Sequence, residues 1–417
     1  MTPEAATRLT RFYDGTLLPD EMIEVMTTDQ GWFPSRTIRR GGVVRDFAGY
    51  PGGLPPIRID DQGRVFDLYD YLTTNAIAGL VILKRGQMVF QTCQRGIGVE
   101  TLWHSCSLAK SIAATLVGVA LKEGAIRSLD DPVSRYVAVE GGYRAVTLRQ
   151  LLRMNSGIRW NEDYVDPASD RRQLLAVQSR WQPGGILGFM KDLPAATPPG
   201  GAWTYNTGES YLVGAVMEAA TGVSLADYLS DRIWSRAGMA MDARWWSEAP
   251  DGLTISGSGM NACLGDYARF GQFVLEGGRI GDEHLLPDGW LDEAGAPYRI
   301  GDRMVPYGYM WWVPELPDPI LAGSFQAEGI YGQYIHVNPA EELVVVVASA
   351  RSKPGYRRRL EINDDAFFAA VARALRKPER PRAILCPKAK AGQRPAAMVR
   401  AARRRRTSRR RPAEPRR

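Results

Sequence analysis

Apolar segments typical of β-strands lie near both ends of this 417-residue chain, and their placement restricts the folds open to it. The early segments, 79–84 and 88–92, are separated by a short glycine turn and predict a β-hairpin. The late segments, 333–337 and 343–349, predict further strands. Because the sequence between them is mainly helical in pattern, we predict an α/β (α+β) fold. Its antiparallel sheet is formed from both ends of the chain and flanked by helices, with an inserted mainly helical domain over about 125–260.

Composition divides the chain into three regions. Residues 1–68 are rich in Gly, Pro and Arg and predict an extended N-terminal arm with short helices that wraps the body. Residues 69–375 form the main domain, in which the weak periodicity of 158–201 predicts loops around a pocket. The helical patterns in the second half of this domain cover 210–220, 225–236, 263–276 and 362–375.

The third region, 376–417, is a basic tail. It carries 17 Lys and Arg residues against two acidic ones, a net charge of about +15. Because the whole sequence has a net charge of +7, residues 1–375 together have a net charge of about −8. Because the tail has little apolar surface to offset the entropy of ordering, we predict that it is disordered. Arginine runs bind nucleic acid through counterion release, but the tail has no interleaved aromatic residues, and nucleic-acid binding is therefore not favoured.

The four cysteines, Cys93, Cys106, Cys263 and Cys386, are far apart and include no CxxC pair. This spacing indicates reduced thiols and no metal site. Residues 1–20 mix charges of both signs with no apolar stretch, which indicates neither a signal peptide nor a membrane anchor. We therefore expect a cytoplasmic protein with no membrane partner and no metal.

The tetrapeptide Ser107–Lys110 precedes an apolar run that predicts a helix to about Lys122, ended by Gly124. A serine and a lysine three residues apart at a helix start share one face of the first turn. This places an amine beside a hydroxyl, which a serine nucleophile requires when no histidine assists it. Cys106 has no lysine at the same offset and is a weaker candidate.

A Ser-His-Asp arrangement is disfavoured. The sequence contains only His104, His284 and His336, and it has no G-x-S-x-G motif. His104 is too near Ser107 in sequence to act easily as its base. A serine enzyme built from this chain would therefore depend on lysine and tyrosine.

Two later segments offer partners for such a serine. Tyr205 follows a Pro/Gly turn and precedes a helical stretch, so its phenol is expected to face a cleft. The segment 327–333 places Gly329 and Ile330 at the start of an apolar strand, where glycine allows close approach of another backbone or a ligand.

The order of hairpin, Ser-x-x-Lys helix, Pro-Gly-x-x-x-Tyr turn and glycine-bearing late strand resembles the serine β-lactamase and penicillin-recognising family, in its class C and esterase-like branch. The resemblance covers about 70–375. Residues 160–170 are similar to a segment of the 6-aminohexanoate-dimer hydrolases, amidases that also have carboxylesterase activity. The resemblance implies a β-lactamase/transpeptidase-like fold and a serine hydrolase that forms an acyl-enzyme without a cofactor.

The resemblance also implies roles for individual residues. Ser107 matches the nucleophile, and Lys110 and Tyr205 match the pair that accepts and relays its proton. Because a buried lysine and tyrosine titrate as a coupled unit, the sequence does not decide which of them is the base. The remaining matches are substrate-binding residues: Tyr164 in the pocket, Trp181 in a lid, and the Gly329–Ile330 segment, whose Ile330 N–H joins that of Ser107 in an oxyanion hole.

Three departures from the family pattern bear on the substrate. Thr207 stands where asparagine is frequent, and Ala327 stands where β-lactamases and transpeptidases carry a cation for the substrate carboxylate. Leu175 or a neighbour stands where nylon-dimer hydrolases carry an acid for the substrate amine. We therefore expect a small-molecule ester or simple linear amide as the substrate.

The alternatives are a β-lactamase or D-amino-acid peptidase, and a catalytically silent family member whose basic tail binds nucleic acid. A homodimer is left open.

Overall fold

The structure, a computed structural model, describes residues 1–355 and 360–376, with strands concentrated toward the two ends of the chain. The strands are β1 (Ser35–Ile38), β2 (Ile59–Asp61), β3 (Arg64–Phe66), β4 (Ile77–Lys84), β5 (Gln87–Cys93), β6 (Trp103–His104), β7 (Ala243–Trp246), β8 (Met260–Ala262), β9 (Arg279–Ile280), β10 (Glu283–His284), β11 (Tyr298–Ile300), β12 (Arg303–Val305), β13 (Phe325–Gly329), β14 (Gln333–Asn338) and β15 (Leu343–Ser349).

Helices fill most of the middle of the chain. The α-helices are α1 (Pro3–Asp14), α2 (Pro19–Thr27), α3 (Leu68–Thr74), α4 (Ala109–Glu123), α5 (Leu148–Leu152), α6 (Asp170–Gln178), α7 (Gly185–Met190), α8 (Thr207–Thr221), α9 (Leu225–Leu229), α10 (Leu264–Leu275), α11 (Trp290–Ala294) and α12 (Asp364–Leu375). Short 3-10 turns lie at Cys106–Leu108, Val133–Arg135, Gly141–Ala145 and Pro319–Leu321, and a π turn follows α9 at Ser230–Trp234.

The central sheet is antiparallel, with the strand order β13-β14-β15-β4-β5. The early hairpin β4-β5 joins the late strands through β15, where Val346 lies opposite Val81. The helices cover both faces of this sheet, so β4, β14 and β15 are buried along their whole length. Val81 and its neighbours alternate between the core that contains α4 and α10 and the core that contains α12. This sheet confirms the predicted fold class.

A second sheet, β1-β7-β8-β6, incorporates the N-terminal region into the body. In it, Thr37 of β1 lies opposite Arg244 of β7, and Trp103 of β6 lies opposite Ala262 of β8. Residues Met1–Arg376 pack as one compact unit, in which the predicted arm consists of two helices and a paired strand before its short β2-β3 hairpin. The arm therefore contributes to the core.

The structure differs from the sequence expectations in three places. The helix after Ser107 begins as a 3-10 turn and becomes α-helical at Ala109. The predicted loop region 158–201 contains α6 and α7, because short apolar stretches there bury one side against the body. The glycine-bearing segment near 330 forms the edge strand β13 and a tight turn before β14.

The predicted disorder of the basic tail concerns 376–417, and beyond Arg376 it lies outside the described residues. In residues 1–355 and 360–376, no single helix is long and apolar enough to cross a membrane. Helix α8 and the segment Leu225–Trp234 together have the length and apolar composition of a membrane span, but they are bent by 74° relative to each other. Cys93, Cys106 and Cys263 are free thiols.

Candidate active site

Ser107 lies in the 3-10 turn that connects β6 to α4. The preceding residue, Cys106, adopts a positive φ of 48°, a conformation that non-glycine residues rarely adopt and that often marks a functional turn. Ser105 anchors the turn to β8, because its N–H donates to the Met260 carbonyl at 2.8 Å and its Oγ accepts from the Met260 N–H at 3.1 Å. The half-buried Ser107 hydroxyl is thereby held at the edge of a cavity.

Lys110 lies one turn into the helix and points back toward that hydroxyl. Its Nζ donates to Ser107 Oγ and to the Gly257 carbonyl, both at 2.9 Å. The side chain is buried, and burial lowers the pKa of Lys110 to about 7. The negative charge of Glu162 opposes this shift, and the positive charge of Arg171 reinforces it. Near neutral pH a large fraction of Lys110 is therefore an uncharged amine.

Tyr205 ends the Pro/Gly turn immediately before α8, whose N-cap is Asn206. Its ring stacks on Trp312, with 5.4 Å between centroids, and Lys110 Nζ lies 5.2 Å from the Tyr205 ring centroid. Burial, assisted by the charge of Glu162, raises the pKa of Tyr205, and an interaction with Ser107 offsets part of the rise. Tyr205 therefore remains protonated under conditions in which Lys110 is neutral.

The end of β13 passes directly over the turn that holds Ser107. A Cβ atom added to Gly329 would lie 2.8 Å from the Ser105 carbonyl oxygen and 3.0 Å from Cys106 Cβ, so glycine permits this approach. The next residue, Ile330, lines the same cavity as Ser107. The structure therefore brings together the two backbone segments that the sequence analysis associated with an oxyanion hole.

A carboxylate missed by the sequence analysis organises one wall of the cavity. Glu162 accepts hydrogen bonds from the Tyr164 hydroxyl at 2.8 Å, from the Thr207 N–H at 2.9 Å, and from the Thr207 hydroxyl and Trp160 Nε1. These contacts orient Tyr164, whose pKa burial raises well above its ordinary value. Thr207 thus has a defined place in the site as a partner of Glu162.

The cavity beside Ser107 has a volume of about 20 Å³, enough for roughly one water molecule. Its walls include Ser107, Lys110, Tyr164 and Ile330 from the predicted set. The others include Phe12 and Tyr13 from α1, His104, and Arg171 from α6.

The arm residues and Arg171 were missed because their neighbours in space are remote in sequence. Tyr13 stacks on Tyr164 with 5.8 Å between ring centroids and 7° between ring planes, and Phe12 packs against Tyr331 at 4.8 Å. No local pattern indicates these pairs. Glu162 could have been found, because it lies inside the segment 160–170 that carried the family resemblance.

Trp181 does not line this cavity. Its indole Nε1 donates to the Trp32 carbonyl at 2.9 Å, and its φ is 54°. The indole is half-buried and packs against the core that the arm helps to form. Trp181 therefore lies between the pocket segment and the arm.

The alternative nucleophile and bases have unsuitable environments. Burial raises the pKa of the Cys106 thiol far above its ordinary value. Burial also lowers the pKa of His104 to about 4 and that of His336 to about 3, so both imidazoles are neutral at pH 7. Among the residues that the structure describes, no group of three or more His, Cys, Asp or Glu could hold a metal ion.

Comparison with known proteins identifies the family. Residues 70–367 match the family model described as Beta-lactamase. The chain belongs to the beta-lactamase family. A 6-aminohexanoate-dimer hydrolase from Paenarthrobacter ureafaciens is 25% identical to this beta-lactamase-family chain over 321 residues, which are 73% of this chain and 80% of the relative.

Solved structures show the same fold. A protein from Bacillus anthracis, provisionally named a 6-aminohexanoate-dimer hydrolase, superposes with a TM-score of 0.72 at 22% identity, over 85% of this chain and 92% of its own. A family VIII carboxylesterase superposes with a TM-score of 0.54 at 16% identity, over 71% and 91%. The resemblance predicted from sequence is confirmed: the chain is a serine hydrolase of the beta-lactamase family.

Proposed function

We propose that this protein forms an acyl-enzyme through Ser107 and hydrolyses carboxylic esters or small linear amides. The observation that carries the proposal is the hydrogen bond of 2.9 Å between the buried Lys110 Nζ and the half-buried Ser107 Oγ. A buried amine with a pKa of about 7 is a competent proton acceptor at neutral pH, and no histidine is needed.

In the proposed acylation step, Ser107 Oγ attacks the substrate carbonyl carbon while its proton passes to neutral Lys110. The carbonyl π electrons move to the oxygen, and the N–H groups of Ser107 and Ile330 stabilise the resulting oxyanion. Tyr205 delivers a proton to the leaving alcohol or amine as its bond to carbon breaks, and is reprotonated from Lys110. Water then cleaves the acyl-enzyme by the reverse sequence of proton transfers.

Two observations support esters and simple amides over β-lactams. Ala327 is fully buried in β13 and supplies no cation to a substrate carboxylate from that position. The relatives described above include proteins named as a 6-aminohexanoate-dimer hydrolase and as a carboxylesterase. Leu175, buried in α6, supplies no charge for a substrate amine, and this favours ester hydrolysis over hydrolysis of the nylon dimer.

Hydrolysis of 4-nitrophenyl butyrate tests the proposal, together with labelling by a fluorophosphonate probe and mass mapping of the labelled peptide. We expect turnover and a single adduct on Ser107, both lost in Ser107→Ala. Ser111→Ala is the matched control, since Ser111 lies one turn further along α4 and its hydroxyl donates to the Met310 carbonyl. Folded protein that neither turns over the ester nor takes up the probe would contradict the proposal. Faster turnover of nitrocefin than of esters would favour a β-lactamase.

A further inference from the structure

Arg171 is a buried cation in the wall of the catalytic cavity, and the mechanism above gives it no role. It is the second residue of α6, its backbone N–H donates to the Asn161 carbonyl at 3.1 Å, and only 2% of its surface is exposed. A guanidinium is always charged, and burying it is costly unless acceptors take its five N–H donors.

The described residues satisfy this guanidinium incompletely. Its Nη2 donates to the Tyr13 hydroxyl at 2.7 Å, and its carbon lies 4.9 Å from the centroid of the Tyr13 ring and 5.8 Å from that of Tyr164. Its Nε and Nη1 are buried and have no hydrogen-bond partner within residues 1–355 and 360–376. Arg351, equally buried, instead donates from both terminal nitrogens to Asp364 at 2.9 and 2.6 Å.

Among the residues that the structure describes, no carboxylate pairs with Arg171 in the way that Asp364 pairs with Arg351. Glu162 interacts with Arg171 electrostatically, but they form no ion pair within 4.0 Å, and the Glu162 oxygens already accept from Tyr164, Thr207 and Trp160. The cavity thus has a desolvated cation with unused donors in the same wall as Ser107 and Lys110. Such a group is suited to a planar anion that enters from the cavity.

We propose that Arg171 binds a carboxylate of the substrate, so that the enzyme selects esters or amides that carry a carboxylate within a few bonds of the scissile carbonyl, such as half-esters of dicarboxylic acids. This inference rests on the proposed serine hydrolase function and names the substrate class of that site. Tyr13 completes the subsite, because its hydroxyl already holds one edge of the guanidinium. Arg172 fixes the end of α1 beside it through a contact of 2.8 Å with Asp14.

The test compares two substrates that differ in one charge: mono-4-nitrophenyl adipate and its methyl ester. For the wild type at about pH 9, where Lys110 is neutral, we expect kcat/KM to favour the carboxylate by about 10- to 100-fold, typical of hydrogen bonds to a charged group. In Arg171→Met this preference should fall to about threefold or less, and Arg171→Lys should lie between. The readout is the ratio of kcat/KM for the two substrates. Arg171 also lowers the pKa of Lys110, so its loss should change both rates, and this change should largely cancel in the ratio.

A second measurement keeps the test independent of how the variants fold. Hexanoate should inhibit the wild type at least about tenfold more tightly than hexanamide. Arg180→Met is the matched control, since Arg180 is an exposed arginine just after α6 and does not line the cavity, so the carboxylate preference should persist. If the wild type hydrolyses both adipate esters equally and hexanoate shows no advantage, the inference is wrong and the hydrolase stands. If neither ester is hydrolysed and the fluorophosphonate does not label Ser107, the proposed function itself is wrong.

Discussion

At the level of single residues, the proposed chemistry of this site depends on burying an amine. Within residues 1–355 and 360–376, Lys110 forms no ion pair with a carboxylate; it donates instead to the neutral oxygens of Ser107 and Gly257. An ion pair would have kept it protonated, whereas desolvation beside neutral acceptors favours the free base. Glu162 and Arg171 then adjust its pKa in opposite directions.

The pH dependence of ester hydrolysis should report this amine. Because the proposed mechanism requires the neutral form of Lys110, kcat/KM should rise as pH increases through about 7 and level off above it. Removing the negative charge in Glu162→Gln should move this limb to lower pH, since Glu162 raises the pKa of Lys110. A limb in the wild type near pH 10, the ordinary range of lysine, would contradict this account.

Gly329 should be as necessary as a polar residue, although it supplies no functional group. In Gly329→Ala, the new Cβ would clash with Gln333 Oε1, the Ser105 carbonyl oxygen and Cys106 Cβ, so we expect the end of β13 to shift away from the turn that holds Ser107. We expect kcat to fall about 100-fold, the scale of losing one oxyanion donor, in a protein that still unfolds cooperatively but at a lower temperature. Gly188→Ala is the control, since nothing lies within 4 Å of its added Cβ. If Gly329→Ala and Gly188→Ala have the same kcat, the close approach of β13 to the Ser107 turn is not required for catalysis.

At the level of elements, helix α1 lines the candidate active site although it lies near the start of the sequence. Phe12 contacts Trp32, His104 and Tyr331 through its ring, and Tyr331 donates from its hydroxyl to the Phe12 carbonyl. Phe12 and Tyr13, near the end of this helix, therefore line the cavity beside Ser107. If the proposed function is correct, this end of α1 should influence which acyl chains the enzyme accepts.

Phe12→Ala should enlarge the cavity and change the acyl preference. We expect the ratio of kcat/KM for 4-nitrophenyl octanoate to that for the acetate to rise about tenfold, as expected for added room in an apolar pocket. The free energy of unfolding should fall by about 3–5 kcal/mol. Leu9→Ala is the matched control, buried in the same helix but outside the cavity, so it should lose stability with an unchanged ratio.

The elements that sequence could predict are those with a local signal. The β4-β5 hairpin, the Ser-x-x-Lys helix and the late strands β14 and β15 have turn residues and apolar runs of their own, and the structure contains all of them. Strand β1 is only four residues long and pairs with β7, which is remote in sequence. Arg171 and Tyr13 likewise meet only after folding. Their roles follow from tertiary contacts that no window of the sequence contains.

At the level of the whole molecule, a buried polar cluster connects the late part of the chain to the early part. An ion pair between two late residues lies at its centre, and side chains of α3 and of the residue after it bind to this cluster. Arg351 follows β15 and binds Asp364 at the start of α12, while the Tyr71 hydroxyl of α3 donates to the same carboxylate at 2.7 Å. Asn75 adds a donor to the Ile362 carbonyl at 2.8 Å. The helices on this face are therefore positioned by one polar cluster.

Arg351→Met should destabilise the fold by about 3–5 kcal/mol, because Asp364 would remain as a buried charge without its cation. Replacing both residues, Arg351→Met with Asp364→Leu, should recover much of this loss. Arg85→Met provides the comparison, since Arg85 and Glu342 are half-exposed and their pair should contribute less than about 1 kcal/mol. Urea denaturation measures all three, and equal losses for Arg351→Met and Arg85→Met would contradict the assignment.

The strand order also leads us to expect that catalytic activity appears late in synthesis. Domains generally fold as units, and the strands that complete this sheet are translated long after the nucleophile turn. A nascent chain that has reached α10 contains both Ser107 and Lys110, but it lacks Ile330 and the β15 strand that pairs with β4. Without that sheet we expect the amine to be hydrated and protonated, as an ordinary lysine is at neutral pH. We therefore expect the nascent chain to have no hydrolase activity until β15 has left the ribosome and the domain can fold.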